Sequence, residues 1–133
     1  MVNAIVSRML EIAATTFAPP RALAGIGEYQ CLVADLGTDF DGYTIVVLSD
    51  FHHRHPFTEV RWLRHAVESA NAVSPDLVAL LGDYASSFKQ MPITSRRWYA
   101  RALPTIAGEL RRLRPRDGVV AVLGNHDYYA DAG

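Results

Sequence analysis

The sequence predicts an α/β protein with a mainly parallel sheet. Three short apolar runs, Tyr43 to Leu48, Leu77 to Leu81 and Val119 to Leu123, alternate with two longer stretches of helical periodicity. Each run is apolar at consecutive positions, which suits a strand covered on both faces, and each ends abruptly in polar residues. Crossovers between such parallel strands are expected to be right-handed. With 133 residues, half of them hydrophobic, the chain is large enough for one domain with a substantial core, which excludes a disordered or fibrous protein. Thirteen Lys and Arg stand against fourteen Asp and Glu. That balance lacks the broad positive field on which nucleic-acid binding depends, so no nucleic-acid partner is indicated. The single Cys31 has no internal disulfide partner, which fits a reducing cytoplasm.

Taken in order, the elements begin with Ile5, Met9, Ile12 and Ala13, which recur at helical spacing before Pro19-Pro20. They predict an amphipathic helix and linker over residues 1–27. Arg8 and Glu11 break any run long enough to span a bilayer, so residues 1–18 are expected to pack on the domain or a partner, or to touch a membrane surface. Glu28 to Leu36 reads as a strand and Gly37 to Gly42 as a turn. After the run ending in Ser49-Asp50, the apolar positions Val60, Leu63, Val67 and Ala70 mark one face of a helix from about Thr58 to Val73, stopped by Ser74-Pro75-Asp76. Ser95 to Leu113 returns to helical spacing, and Pro104 is expected to split it into two helices. Arg114 to Gly118 is a polar turn before the last apolar run.

The polar residues that end the three runs carry the chemistry. Asp50 and His52 follow the first, Asp83 the second, and Asn125 and His126 the third. In open α/β sheets ligands bind beyond the carboxyl ends of the strands, so these three loops are expected to converge. Asp50 and His52, two residues apart, can point the same way toward one cation while Phe51 points inward. A carboxylate such as Asp83 has two oxygens and can bridge two cations, and the Asn125 amide oxygen adds a ligand without charge. Such a mixture suits Mn, Fe or Zn better than Ca. Each residue also has a plainer reading. An Asp at a strand end can be a helix cap, Gly82 and Gly124 can serve tight turns or close backbone approach, and His65 reads as a surface or packing residue. His53 and His55 are left outside the ligand set. Three strand ends in succession with the same kind of donor are what these readings leave unexplained.

Asp50-Phe51-His52, Gly82-Asp83 and Gly124-Asn125-His126-Asp127, each after an apolar strand, resemble the first three signature blocks of the calcineurin-like metallophosphoesterases. Asp41-Gly42-Tyr43, Ser74-Pro75-Asp76, Asp117-Gly118 and Tyr128-Tyr129 are similar to wording of the bacterial phosphodiesterase branch, so the resemblance spans about residues 28–129. It implies a layered α-β-β-α sandwich and hydrolysis of phosphate mono- or diesters at a two-metal centre, with divalent cations roughly 3.5–4 Å apart. It further implies that Asp50 and His52 bind one metal, Asp83 bridges both and Asn125 binds the second. His126 then faces the phosphate, and Asp127 orients its ring.

The family pattern continues with a further His and a Gly-His-x-His block, whereas no His follows His126. The expectation is therefore a domain over 28–133 that holds the N-terminal half of the fold and is C-terminally truncated. Exposed sheet surface would then favour self-association. The alternative to an enzyme is a non-catalytic half-domain that binds metal weakly or needs a partner chain. A nucleotide-binding doubly wound domain is disfavoured, because Ser49-Asp50-Phe51-His52-His53 stands where a glycine-rich phosphate loop belongs. A cytoplasmic protein, either free in solution or peripheral to a membrane, completes the expectation.

Overall fold

The computed structural model describes residues 7–13, 25–52, 60–84 and 94–131. Strands β1 (Ser7–Ala13), β2 (Gly25–Cys31), β3 (Thr44–Ser49), β4 (Leu77–Leu80) and β5 (Gly118–Ala121) form one sheet in the order β2-β1-β3-β4-β5. Helix α1 (Val60–Ala72) connects β3 to β4, α2 (Thr94–Leu110) connects β4 to β5, and the short α3 (Asn125–Asp131) follows β5. β1, β3, β4 and β5 run parallel, and only β2 is antiparallel to its neighbour. The expected α/β class with mainly parallel pairing is therefore what the chain adopts.

Register explains where the core lies. Val46 pairs with Val78 and Leu48 with Leu80, so all four point to one face, and Ala66, Val67 and Ala70 of α1 cover it. Val46, Leu48, Val67 and Val78 are completely buried, each contributing about 2 kcal/mol from burial alone. Leu63 also packs with Ala102 and Ile106 of α2, which joins the two helices into one layer. Ile45, Val47, Leu77 and Ala79 point the other way and are only half-buried. Burial on both faces, expected from the consecutive apolar residues, is thus found on one face only. The helical layer and one sheet of the expected sandwich are present among the described residues. β5 forms an edge, with Val119 and Val120 about half exposed.

Three expectations are corrected. Residues 7–13 form a strand and not an amphipathic helix, because β1 lies between β2 and β3 and uses its main chain on both sides. A helix this short is marginal in isolation, so two ladders of hydrogen bonds outweigh a helical spacing of apolar residues. The remainder of the expected helix and linker, 1–6 and 14–24, lies outside the described residues. The strand placed at Glu28–Leu36 is Gly25–Cys31, paired with β1 from Ala13–Gly25 to Ser7–Cys31. Finally, Pro104 does not split the third helical stretch, and α2 runs through it. Ala102 and Ile106 are buried on either side of an exposed Pro104, so packing offsets the main-chain bond that proline removes.

Two charged networks hold the layers. The nearly buried Glu109 of α2 receives Arg64 of α1 at 2.6 Å and Arg112 at 2.6 Å. The Arg64 hydrogen bond is the main reason its carboxyl titrates below the usual range. At the amino ends of the strands, Asp76 accepts the Thr44 N–H at 2.6 Å and pairs with Arg116 at 2.7 Å. Arg116 also forks onto Asp117, which accepts the Tyr43 hydroxyl at 2.8 Å, and these bonds lower the Asp117 pKa, Arg116 foremost. Depressed carboxyl pKa values stabilise the fold fully above the ordinary values of 4.5 for Glu109 and 3.8 for Asp117. That contribution is lost as pH falls through the folded values. The urea midpoint is therefore expected to drop as pH falls below 4.5, and Glu109→Gln to flatten part of the drop. Equal slopes for wild type and variant would rule out the Glu109 contribution.

Candidate metal centre

The site forms where β3, β4 and β5 end. The β3 and β4 loops stay zipped beyond their strands: Leu81 N–H donates to Leu48 C=O at 2.9 Å, Asp50 N–H to Gly82 C=O at 3.2 Å and His52 N–H to Asp83 C=O at 2.9 Å. Asp50, His52 and Asp83 all have left-handed backbones, with φ of 57°, 42° and 55°. Such conformations cost roughly 1–3 kcal/mol each and concentrate at functional sites, where the surrounding structure enforces them. Here the cross-loop hydrogen bonds do so. Phe51 is turned inward, packing on the core and stacking on Tyr84 with ring centroids 6.5 Å apart.

His52, Asp83 and His126 offer ligand atoms that all lie within 4.8 Å of one another, and all three side chains are half-buried. His52 Nε2 is 3.3 Å from Asp50 Oδ1 and 3.9 Å from Asp83 Oδ2. The His52 and His126 rings meet edge to face at 4.8 Å. Asp50 is the most exposed of the group, and the Ser49 hydroxyl holds its Oδ2 at 2.6 Å. Opposite ligands on one first-row cation stand about 4.2 Å apart. The three candidate ligand atoms, all within 4.8 Å of one another, are spaced on that scale. Imidazole and carboxylate donors such as those of His52 and Asp83 fit a borderline divalent cation by donor type. Asn125 opens α3 beside His126 and is exposed.

Asp127 lies beneath the cluster with 3% of its surface exposed. Its Oδ2 accepts the N–H groups of Asp83 at 2.7 Å and Gly124 at 2.9 Å, and its Oδ1 accepts that of Tyr84 at 3.0 Å. In return, the His126 N–H donates to Asp83 Oδ1 at 2.9 Å. Gly82 and Gly124 sit back to back. A Cβ on Gly82 would fall on the Gly124 backbone, and one on Gly124 would fall on the Asp83 carboxylate. Close approach is thus the reason for both glycines, although what approaches is the other loop. Tyr84 braces the same loops, its hydroxyl donating to Val122 C=O at 2.9 Å. Burial foremost, with the nearby Asp127 charge, raises its pKa, so it remains a donor at neutral pH.

The expected residues therefore meet in part as anticipated. His52, Asp83 and His126 converge, Asp50 adjoins them through His52, and Asn125 is the neighbour of His126. The exposed His65 is a surface residue, and His53 and His55 lie outside the described residues. Sequence reasoning missed Ser49, Tyr84 and the main-chain bonding of Asp127. The last had a signal. An acid three residues after the helix-capping position, as in Gly124-x-x-Asp127, is half of a capping box.

The chain belongs to the calcineurin-like phosphoesterases, whose family model matches residues 43–133. It is also similar to a zebrafish (Danio rerio) protein described as a transmembrane protein with metallophosphoesterase domain, with 29% identity over 111 residues. That alignment takes in 84% of this chain and 22% of the relative, so the chain spans about a fifth of its length. No solved structure matches. Among the described residues no helix is long and apolar enough to cross a membrane.

Proposed function

We propose that this chain provides a divalent-metal centre for hydrolysis of phosphate mono- or diesters. The observation that carries the reading is the convergence of His52, Asp83 and His126 at the ends of three adjacent parallel strands, in a member of the calcineurin-like phosphoesterases. Asp50, His52, Asp83 and Asn125 are the residues that would hold the cations, with Asp50 and His52 serving one, Asn125 a second, and Asp83 able to serve both. When bound, such cations supply an activated water nucleophile and positive charge for the phosphoryl oxygens. His126 faces the phosphoester and donates a proton to the leaving oxygen. Asp83 Oδ1, fixed by the His126 N–H, leaves Oδ2 toward His52, which suits a carboxylate shared between ligands on two loops.

A second reading, that the centre is completed by association, is supported by the exposed β5 edge with Val119, Val120, Val122 and Leu123. Location beside a membrane rests on the description of the zebrafish relative alone. Calorimetric titration of the purified chain with Mn(II), with hydrolysis of bis-p-nitrophenyl phosphate followed in the same samples, tests the function. Metal binding with hydrolysis that depends on it is the expected result. Binding without turnover at any protein concentration would sink the catalytic reading, whereas specific activity rising with concentration would favour the associated form.

A further inference from the structure

We infer that Asp127 is a positioning residue that sets the separation of Asp83 and His126 through the main chain. The inference rests on the proposed function for its catalytic meaning and on geometry for everything else. Asp127 belongs to the segment after β5, yet two of its three main-chain donors, Asp83 and Tyr84, belong to the loop after β4. Asp83 belongs to the β4 loop, yet its Oδ1 takes the N–H of His126 in α3. The two loops thus exchange carboxylates, each closing on the other's backbone. Contact between Gly82 and Gly124 sets the floor of their approach, and the paired carboxylates prevent them from separating.

Helix capping alone explains less. A cap needs only the bond to Gly124 N–H, which Asp127 makes with the same oxygen that takes Asp83 N–H. The bonds to Asp83 and Tyr84 leave the helix altogether. They hold the backbone of a candidate ligand in its left-handed turn at φ 55°. Three N–H donors converge on two oxygens, so an amide is a poor substitute. Either orientation of an asparagine would turn its NH₂ against at least one main-chain N–H.

The test compares Asp127→Asn with Asp76→Asn. Asp76 makes the same kind of carboxylate to main-chain bond, to Thr44, at the opposite end of the sheet. Mn(II) affinity, bis-p-nitrophenyl phosphate turnover and amide hydrogen exchange are measured on both and on wild type. Asp127→Asn is expected to lower Mn(II) affinity about 10–100-fold, with turnover falling alongside, and to speed exchange of the Asp83, Tyr84 and Gly124 amides together. Asp76→Asn should leave Mn(II) affinity within about twofold at comparable loss of thermal stability. Equal Mn(II) affinity in Asp127→Asn and wild type, with only Gly124 exchanging faster, would reduce Asp127 to a helix cap and overturn the inference. If Asp127→Asn does not fold, exchange on the wild type decides: joint protection of the Asp83, Tyr84 and Gly124 amides supports the inference, and rapid exchange at Asp83 and Tyr84 defeats it. Wild type that binds no Mn(II) would instead sink the proposed function, and the same amides would still judge the positioning role.

Discussion

Asp83→Ala is expected to abolish measurable phosphodiester hydrolysis and to weaken Mn(II) binding by roughly 100-fold or more, beyond the loss typical of a residue that merely supports a ligand. The carboxylate has two duties in the structure. Oδ2 faces His52 Nε2, and Oδ1 accepts the His126 N–H at 2.9 Å. Truncation removes a candidate ligand and also unties the β5 loop from the β4 loop, so His126 loses its reference to His52. Asp83→Asn separates the two duties, since its amide oxygen can still accept the His126 N–H while the charge toward the cation is gone. Folding should survive Asp83→Asn and metal binding should not, as read by circular dichroism and calorimetry. Retention of full Mn(II) affinity in Asp83→Asn would remove this residue from the ligand set.

Gly82→Ala is expected to be the most destabilising single-methyl change in the chain, at about 3 kcal/mol or more. Two penalties combine. Gly82 has φ +92°, where an L side chain is strained, at a cost of roughly 1–3 kcal/mol. Its Cβ would also stand 2.7 Å from Gly124 Cα and 2.8 Å from Leu123 C, and backbone on both sides cannot yield as a side-chain tip would. Overpacking of that kind typically costs about 1–3 kcal/mol. Against a total stability of about 5–15 kcal/mol, the urea midpoint should fall markedly. Gly42, also at positive φ but with nothing near its missing Cβ, is the fitting comparison, because Gly42→Ala carries the strain without the clash. Equal midpoints for the two variants would show that the close approach contributes nothing.

The strand ends were legible because two signals coincide there: a short run of consecutive apolar residues, then Asp or His close to where the run stops. Thus β3, β4 and β5 were read from the chain alone to within a residue or two, and with them the strand-end positions of Asp50, His52, Asp83 and His126. The N-terminal strand was not legible. Its helical spacing of Met9, Ile12 and Ala13 is a local property, whereas its pairing depends on β2 and β3 far along the chain. Pro104 failed for a related reason, since burial of Ala102 and Ile106 against α1 carries the helix past a residue that locally ends it. The Asp83 and Tyr84 donors on Asp127 were beyond reach because they come from a loop some forty positions earlier, and no sequence spacing encodes that contact.

The parallel ladder also dictates an order of assembly. β3, α1 and β4 form a β-α-β unit whose hydrophobic cluster joins Val46, Leu48, Val67 and Val78, so half of the centre, from Asp50 to Asp83, can organise with it. His126 and Asp127 come only with β5, a four-residue strand at the sheet's edge whose pairing must wait for the long α2 crossover to close. Short edge strands are also where local opening begins. The centre therefore depends on an edge strand, and fraying at β5 is expected to release its third loop before the β3-α1-β4 cluster opens.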